Sequence, residues 1–233
     1  MTSDPISAPA LAAAYAACER DARAHYENFP VASLLLPRRM RPHVAAVYAF
    51  ARAADDFADE GTRPDVTRHG LLDGWLERLH RAAASPAPGP PPRRGEPADV
   101  VEIFLALGAS IRERRLPVGL FDDLISAFRQ DITTTRYASW AEVLDYCRRS
   151  ANPVGRLVLR IAGRENAADD AASDAMCTAL QLTNFWQDLK VDFDRGRIYL
   201  PAEARSAHGA READLAAGVV TEEWRSAPGS RHT

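Results

Sequence analysis

The sequence predicts an all-α, single-domain helical bundle, and three observations support this fold class. The chain of 233 residues is long enough to bury one core, and 46% of its residues are hydrophobic against 26% charged, which is typical of a globular protein. Apolar residues recur at helical period along Ala-, Leu- and Arg-rich segments. The alternation of β-branched residues that is typical of strands is almost absent.

Three helices are predicted in the first part of the chain. The first covers about residues 9–24. The second begins at Pro42, a residue that suits the first helical turn, and ends at Gly61, the residue type that most often follows a helix. The third covers about residues 67–84.

A proline-rich segment, residues 85–97, then interrupts the helical pattern. Its sequence, SPAPGPPPRRGEP, contains six prolines and predicts a flexible loop. The pattern resumes after it, so we place the loop inside one domain that spans residues 1–201. Four further helices are predicted, the third of them kinked at Pro153; they cover about residues 98–115, 118–131, 139–162 and 167–194. Residues 202–233 are weakly patterned and predict an incomplete C-terminal region.

Charge and cysteine usage exclude several classes of protein. The 29 Lys and Arg residues against 32 Asp and Glu residues give a net charge of −3, which argues against a nucleic-acid partner. Three widely spaced cysteines indicate a reducing compartment. We find no signal-peptide pattern and no run near the ~18 apolar residues of a membrane span. We expect a cytoplasmic protein that can contact the inner membrane face peripherally; the sequence gives no indication of oligomeric state.

Two of the predicted helices carry aspartates at one-turn spacing. At about 100° per residue, the polar residues of the second helix fall within an arc of about 100° and those of the last helix within about 80°. The two groups are Arg52, Asp55, Asp56 and Asp59, and Gln181, Asn184, Asp188 and Asp192.

Such aspartate pairs cost a helix stability. Aspartate has poor helix propensity, and like charges four residues apart repel. Solvated helix ends are one explanation. The other is a divalent cation, since Mg²⁺ prefers carboxylate, water and phosphate oxygens. Two facing pairs predict a Mg²⁺ site around a diphosphate.

Two segments resemble a known family. YAFARAADDFADEG and QLTNFWQDLKVDFDRGRIYLP are similar to the two aspartate-rich signatures of the squalene/phytoene synthases, and the likeness extends from about His25 to Pro201. HYENFPVAS, YCRRSANPVG and NFWQD are similar to the bacterial hydroxysqualene synthase branch. The wider family has leucine and arginine where this chain has Trp186 and Gln187. The resemblance implies the isoprenoid (trans-prenyltransferase) synthase fold.

The resemblance also implies roles for individual residues. The residues implied to bind Mg²⁺ are Asp55, Asp56, Asp59, Asn184, Asp188 and Asp192. The residues implied to bind the diphosphate or line the pocket are Tyr48, Arg52, His25, Gln181, Tyr199, Arg197, Tyr146 and Asn152. His25 could instead be a surface residue. Asn152 could instead satisfy a backbone group that the kink at Pro153 leaves unpaired.

The activity implied is Mg²⁺-dependent conversion of presqualene diphosphate and water to hydroxysqualene and diphosphate, in squalene and hopanoid biosynthesis. One alternative is a squalene, presqualene diphosphate or phytoene synthase that condenses two prenyl diphosphates, such as farnesyl diphosphate, head-to-head. A di-iron bundle needs two ExxH motifs, and only Glu77–His80 matches. Family members usually continue well beyond the second motif, so a truncated chain that binds without turnover, with exposed apolar surface, is a further alternative.

Overall fold

Helices dominate the computed structural model, which describes residues 7–24, 36–59 and 63–227. Within these ranges the β-structure is one isolated bridge between Arg136 and Ile198. No helix in the described ranges has the length and apolar character needed to cross a membrane. The helices are α1 (Ala8–Ala24), α2 (Arg41–Asp59), α3 (Asp65–Ala84), α4 (Val100–Arg114), α5 (Val118–Thr133), α6 (Trp140–Ser150), α7 (Asn152–Ile161), α8 (Ala167–Gln187), α9 (Leu189–Asp194), α10 (Ala202–His208), α11 (Glu212–Ala216) and α12 (Glu222–Ser226).

The centre of the bundle is α2, which packs against α1, α3, α4 and α5. Its apolar positions recur at helical spacing, so they form one broad buried face. Phe50 lies at the middle of this face and contacts the rings of Trp75, Phe104 and Phe121. The Trp75 indole N–H donates to the Phe50 carbonyl over 3.1 Å. The α2 backbone is therefore held by buried apolar area and by one buried hydrogen bond.

Two of the predicted helices are each divided in the structure, so their continuity was predicted wrongly. Residues 139–162 form α6 and α7, with the break at Ala151. Pro153 has no N–H and cannot donate to the carbonyl four residues before it, which interrupts the hydrogen bonds of α6, and a proline is tolerated in the first turn of the helix that follows. Residues 167–194 form α8 and α9, with Asp188 between them. Hydrogen bonds from Asp188 N to Asn184 O and from Asp192 N to Asp188 O, both 2.8 Å, continue across this second break.

The proline-rich segment 85–97 contains no helix or strand and is attached to α3 by one buried arginine. The Arg78 guanidinium donates to the carbonyls of Pro90 and Pro91 over 2.7 and 2.8 Å. It also pairs through two nitrogens with the Glu96 carboxylate, at 2.9 and 2.7 Å. These bonds fix the loop at three points, and flexibility of its remainder stays a prediction.

The region after Pro201 is more ordered than its sequence pattern indicates. Its three short helices pack around Trp224, whose indole N–H donates to the Arg211 carbonyl over 3.1 Å. Arg136, from the segment after α5, bonds the Glu212 carboxylate and attaches this region to the bundle, and Arg205 of α10 bonds the same carboxylate within the region. Helices of five to seven residues are too short to show a period, which is why the sequence pattern is weak there.

Candidate active site

The first aspartate group lies in the last turns of α2. Arg52 Nε lies 3.0 Å from Asp56 Oδ1, so these two residues form an ion pair within the helix. Asp55 is half-buried, and burial followed by the charge of Asp59 raises the pKa of its carboxyl to about 7. This end of α2 therefore carries more negative charge than its own arginine balances.

The second aspartate group spans the junction of α8 and α9. Asn184 and Asp188 are exposed, whereas Gln181 and Asp192 are half-buried. Burial, followed by the charge of Asp188, raises the pKa of Asp192 to about 6. Arg197 N donates to the Asp192 carbonyl over 2.8 Å, and the side chain of the same arginine pairs with Asp59. The two groups therefore lie near each other although they are distant in sequence.

Arg197 joins the two halves of the site. Its Nη2 atom lies 2.7 Å from Asp59 Oδ1 and donates to the main-chain carbonyl of Asp131 over 2.9 Å. Its side chain is only 14% exposed. One buried guanidinium nitrogen thus connects the end of α2 with the end of α5.

The backbone of the turn before Arg197 fixes the position of this residue. Gly196 has φ +85°, in the region that favours glycine. Arg136 donates to the Gly196 carbonyl over 2.6 Å, and Ile198 N donates to the Thr135 carbonyl over 3.0 Å. The chain after α9 is therefore held against the segment after α5. This places Arg197 beside the aspartates.

Asp131 is a site residue that the sequence interpretation missed. It is 6% exposed, and its Oδ2 accepts a hydrogen bond from the Tyr146 hydroxyl over 2.7 Å. Burial raises the pKa of the Asp131 carboxyl to about 7, although the hydrogen bond from Tyr146 lowers it. The charges of Asp59 and Asp55 add to the rise. Asp131 follows Leu124 and Ala127 at helical spacing on the apolar face of α5. A carboxylate on an apolar face is the signal that could have identified it.

An aromatic cluster lies directly beside these carboxylates. Its members are Tyr137, Tyr146, Phe185 and Tyr199. Phe185 and Tyr199 stack with centroids 3.9 Å apart and planes 4° from parallel. Burial, followed by the charge of Asp131, raises the pKa of Tyr199, so its hydroxyl is neutral at physiological pH. The structure therefore places Tyr146 and Tyr199, both predicted pocket residues, in a packed apolar wall.

Three other predicted residues have different surroundings. Tyr48 is half-buried against the main core on α2. Asn152 is buried, and its Oδ1 accepts a hydrogen bond from the Thr178 hydroxyl over 3.0 Å. The Asn152 carbonyl oxygen therefore bonds the neighbouring helix α8, and the alternative that the side chain satisfies a backbone group stays a prediction. His25 lies outside the described residues.

The second aspartate group depends on how α8 is attached to α7. Three arginines of α7 and of the turn after it pair through two nitrogens each with aspartates of α8; the pairs are Arg156–Asp174, Arg160–Asp170 and Arg164–Asp169. The two helices approach most closely at Gly155, where an added Cβ would lie 2.6 Å from Cys177 Sγ. The outer face of α8 is exposed, with Met176 at 62%, Leu180 at 57% and Trp186 at 39%.

The donor set of the site suits Mg²⁺ held together with a diphosphate. The described residues contain no group of three or more His, Cys, Asp or Glu side chains that could hold a metal ion by themselves. Mg²⁺ usually takes one or two carboxylates and completes its shell with waters and substrate phosphate oxygens. The two aspartate groups offer carboxylates in pairs, and together they carry more negative charge than Arg197 balances. They therefore match the coordination that Mg²⁺ needs.

Comparisons with known proteins identify the family of the chain. Residues 22–228 match the family model described as squalene/phytoene synthase. The hydroxysqualene synthase of Sinorhizobium fredii is 42% identical over 84% of this chain and 62% of its own length. That of Rhodopseudomonas palustris is 40% identical over 81% of this chain and 60% of its own length. The chain thus spans about three fifths of the length of these relatives.

Solved structures give the same result for the fold. The crystal structure of the squalene synthase HpnC from Alicyclobacillus acidocaldarius superposes with a TM-score of 0.81 at 40% identity, covering 95% of this chain and 78% of that one. A dehydrosqualene synthase superposes with a TM-score of 0.79 at 23% identity, which supports the fold alone. The predicted all-α isoprenoid synthase fold is confirmed, and the chain belongs to the squalene/phytoene synthase family.

Proposed function

We propose that this protein is a Mg²⁺-dependent isoprenoid diphosphate enzyme that converts presqualene diphosphate and water to hydroxysqualene and diphosphate, as part of squalene and hopanoid biosynthesis. The observation that carries the proposal is that Arg197 contacts both aspartate groups, Asp59 through its side chain and Asp192 through its main chain. Similarity to proteins named hydroxysqualene synthase supports this choice of reaction.

The aspartates and Asn184 are the residues that would hold Mg²⁺. Asp55 and Asp59 would act from α2, and Asp188 and Asp192 from the α8–α9 junction. Bound Mg²⁺ supplies positive charge that neutralises the diphosphate as it leaves. Arg197 adds a permanent positive charge at the same place, because a guanidinium stays protonated at every physiological pH.

The reaction balances without an added oxidant or reductant. The bond between carbon and the diphosphate oxygen breaks and its electron pair leaves with the diphosphate. The cyclopropane opens, one water oxygen bonds the resulting cation, and a proton is released. The wall formed by Phe185 and Tyr199 suits this step, because aromatic faces attract cations and an apolar surface limits access of further water.

Product analysis tests the proposal. The purified protein is incubated with Mg²⁺ and presqualene diphosphate, and in parallel with farnesyl diphosphate. We expect hydroxysqualene from presqualene diphosphate. A C30 product from farnesyl diphosphate alone would overturn the proposal in favour of a synthase that condenses two prenyl diphosphates.

Two substitutions test the assignment of the aspartates. Asp55→Ala and Asp188→Ala are each expected to lower turnover at least about 100-fold, since each removes charge stabilisation of the leaving group. Asp194→Asn is the matched control, because Asp194 is exposed and pairs with Lys190 on α9. Wild-type turnover by both alanine variants would refute the metal-site assignment.

A second candidate function is binding of the metal and diphosphate without turnover. The exposed face of α8 favours it, since Leu180 and Trp186 lie on the helix that carries Asn184. An open apolar face beside the site would admit water to a carbocation. Binding of Mn²⁺ and inorganic diphosphate without release of product from either substrate would support this second candidate.

A further inference from the structure

The Asp131 carboxylate is only half satisfied within the described residues. Its Oδ2 accepts the Tyr146 hydroxyl, whereas its Oδ1 is buried and has no hydrogen-bond partner among the described residues. The residue as a whole is 94% buried, since only 6% of it is exposed. Burying a carboxylate oxygen without a partner is costly, so such an oxygen indicates a missing ligand or a functional demand.

The position of Asp131 indicates which ligand this is. The Arg197 nitrogen that pairs with Asp59 also bonds the Asp131 main chain, so Asp131 lies beside the first aspartate pair. Among the described residues, the two arginines that act on Asp55 and Asp131 already have partners: Arg197 contacts Asp59 and the Asp131 main chain, and Arg52 pairs with Asp56. A hard cation would supply further positive charge, and it suits a carboxylate oxygen.

We propose that Asp131 is a fifth carboxylate of the divalent-cation site, with Oδ1 accepting a hydrogen bond from a water bound to the cation that the α2 aspartates hold. The inference rests on the proposed function, because it assumes that Asp55 and Asp59 bind a divalent cation. In this arrangement the Tyr146 hydroxyl fixes one carboxylate oxygen and thereby orients the other.

Binding of Mn²⁺ measured by electron paramagnetic resonance tests the proposal without any need for turnover. Free Mn²⁺ is titrated against the purified protein, alone and with inorganic diphosphate. The variant is Asp131→Asn, which keeps the shape and can still accept the Tyr146 hydroxyl. We expect its Mn²⁺ affinity to fall by about 10-fold or more. We also expect its metal-free melting temperature to stay equal or rise, since a buried charge is removed.

Three further variants make the outcomes distinct. Asp55→Asn reports on the site as a whole. Asp145→Asn is a surface control, because Asp145 is exposed and pairs with Arg148 and Arg149. Tyr146→Phe removes the hydroxyl but keeps the Asp131 carboxylate, so we expect it to change Mn²⁺ affinity less than Asp131→Asn does.

Each other result contradicts the proposal in a recognisable way. Weaker Mn²⁺ binding in Asp55→Asn together with wild-type binding in Asp131→Asn would overturn the role of Asp131 and leave the proposed function intact. Wild-type Mn²⁺ binding in both Asp55→Asn and Asp131→Asn would show that these aspartates form no cation site, and it would overturn the proposed function as well. Equal losses of metal-free stability in Asp131→Asn and Tyr146→Phe would assign Asp131 a purely structural role and overturn the proposal.

Discussion

The two helical regions that carry the aspartates are built in opposite ways. In α2, eleven of nineteen residues are buried, and the helix lies inside the bundle. In α8, Phe185 is the one buried residue of twenty-one, and the helix is attached along one side. The aspartates of α2 therefore lie on a helix that is packed into the core. Those of α8 and α9 lie on helices attached to α7 by ion pairs and by a close backbone approach at Gly155.

Because of this difference, α2 and α8 are stabilised by different interactions. Apolar burial at about 25 cal/mol per Å² holds α2, and this contribution is not screened by salt as a charge pair is. Bidentate pairs such as Arg160–Asp170 hold α8 and are sensitive to pH and ionic strength. We expect the first aspartate pair to keep its geometry under conditions that displace the second.

The largest expected effect comes from breaking the core under α2. Phe50→Ala removes a fully buried ring that contacts three other aromatic residues. The free energy of unfolding should fall by about 3–5 kcal/mol, measured by urea denaturation. The matched variant on the other helix is Trp186→Ala, where the ring is 39% exposed, and we expect a change within about 0.5 kcal/mol. Equal losses in the two variants would contradict the comparison.

A medium effect should come from filling the gap between α7 and α8. Gly155→Ala places a methyl group against Cys177 and Ser173, so it should lower the free energy of unfolding by about 1–3 kcal/mol. Gly119→Ala is the control, because a Cβ at Gly119, in α5, meets no atom within 4 Å. That change should stabilise the protein by about 0.4–1 kcal/mol. Thermal or urea unfolding gives both values, and the same sign for both would refute the close approach.

The smallest expected effect is a pH dependence of opposite sign for the Asp55 carboxyl of α2 and for the ion pairs that attach α8 to α7. Burial holds the pKa of Asp55 at about 7, above the 3.8 of an unperturbed aspartate. The folded protein therefore binds this proton more tightly than the unfolded chain, and stability is gained as pH falls from 8 through 7. Hydrogen bonds from Arg164 and Arg160 lower the pKa values of Asp169 and Asp170. Their contribution is present above the unfolded pKa and is lost as pH falls below about 4.

Melting curves of the metal-free protein measure this dependence. Between pH 8 and pH 6 the melting temperature should rise by ~2–4 °C. Asp55→Asn should reduce that rise, and Asp194→Asn should leave it unchanged because Asp194 is exposed on α9. A melting temperature that falls over this range in the wild type would show that the α2 carboxylates are not held in a destabilised charged form.

The sequence predicted most of the helices and located the two aspartate groups on them; that the two groups bind one ligand stays a prediction. Hydrophobic period and aspartate spacing are local signals, and both appear in the structure at the expected places. The break at Asp188 could not be predicted this way, because neither a proline nor a glycine marks it. The pairing of Arg52 with Asp56 competes with the predicted contact between Arg52 and a diphosphate, which stays a prediction.

Asp131 was missed for a different reason. Its importance comes from Tyr146 and Arg197, which contact it from distant parts of the chain. Asp131 belongs to no sequence motif, and its place on the apolar face of α5 marks it as unusual without showing what it contacts. The order around Trp224 was missed because helices of five to seven residues show no period.

The contact between Arg197 and Asp59 also has a consequence for how the protein folds. A contact between residues so distant in sequence closes a long loop, and the entropic cost of closing it is met only after the helices between them have packed. The first aspartate pair can reach its place early, with the local packing of α2, α3 and α4. The complete site forms last, so in a refolding experiment the capacity to bind a divalent cation should return after the helical circular dichroism signal has recovered.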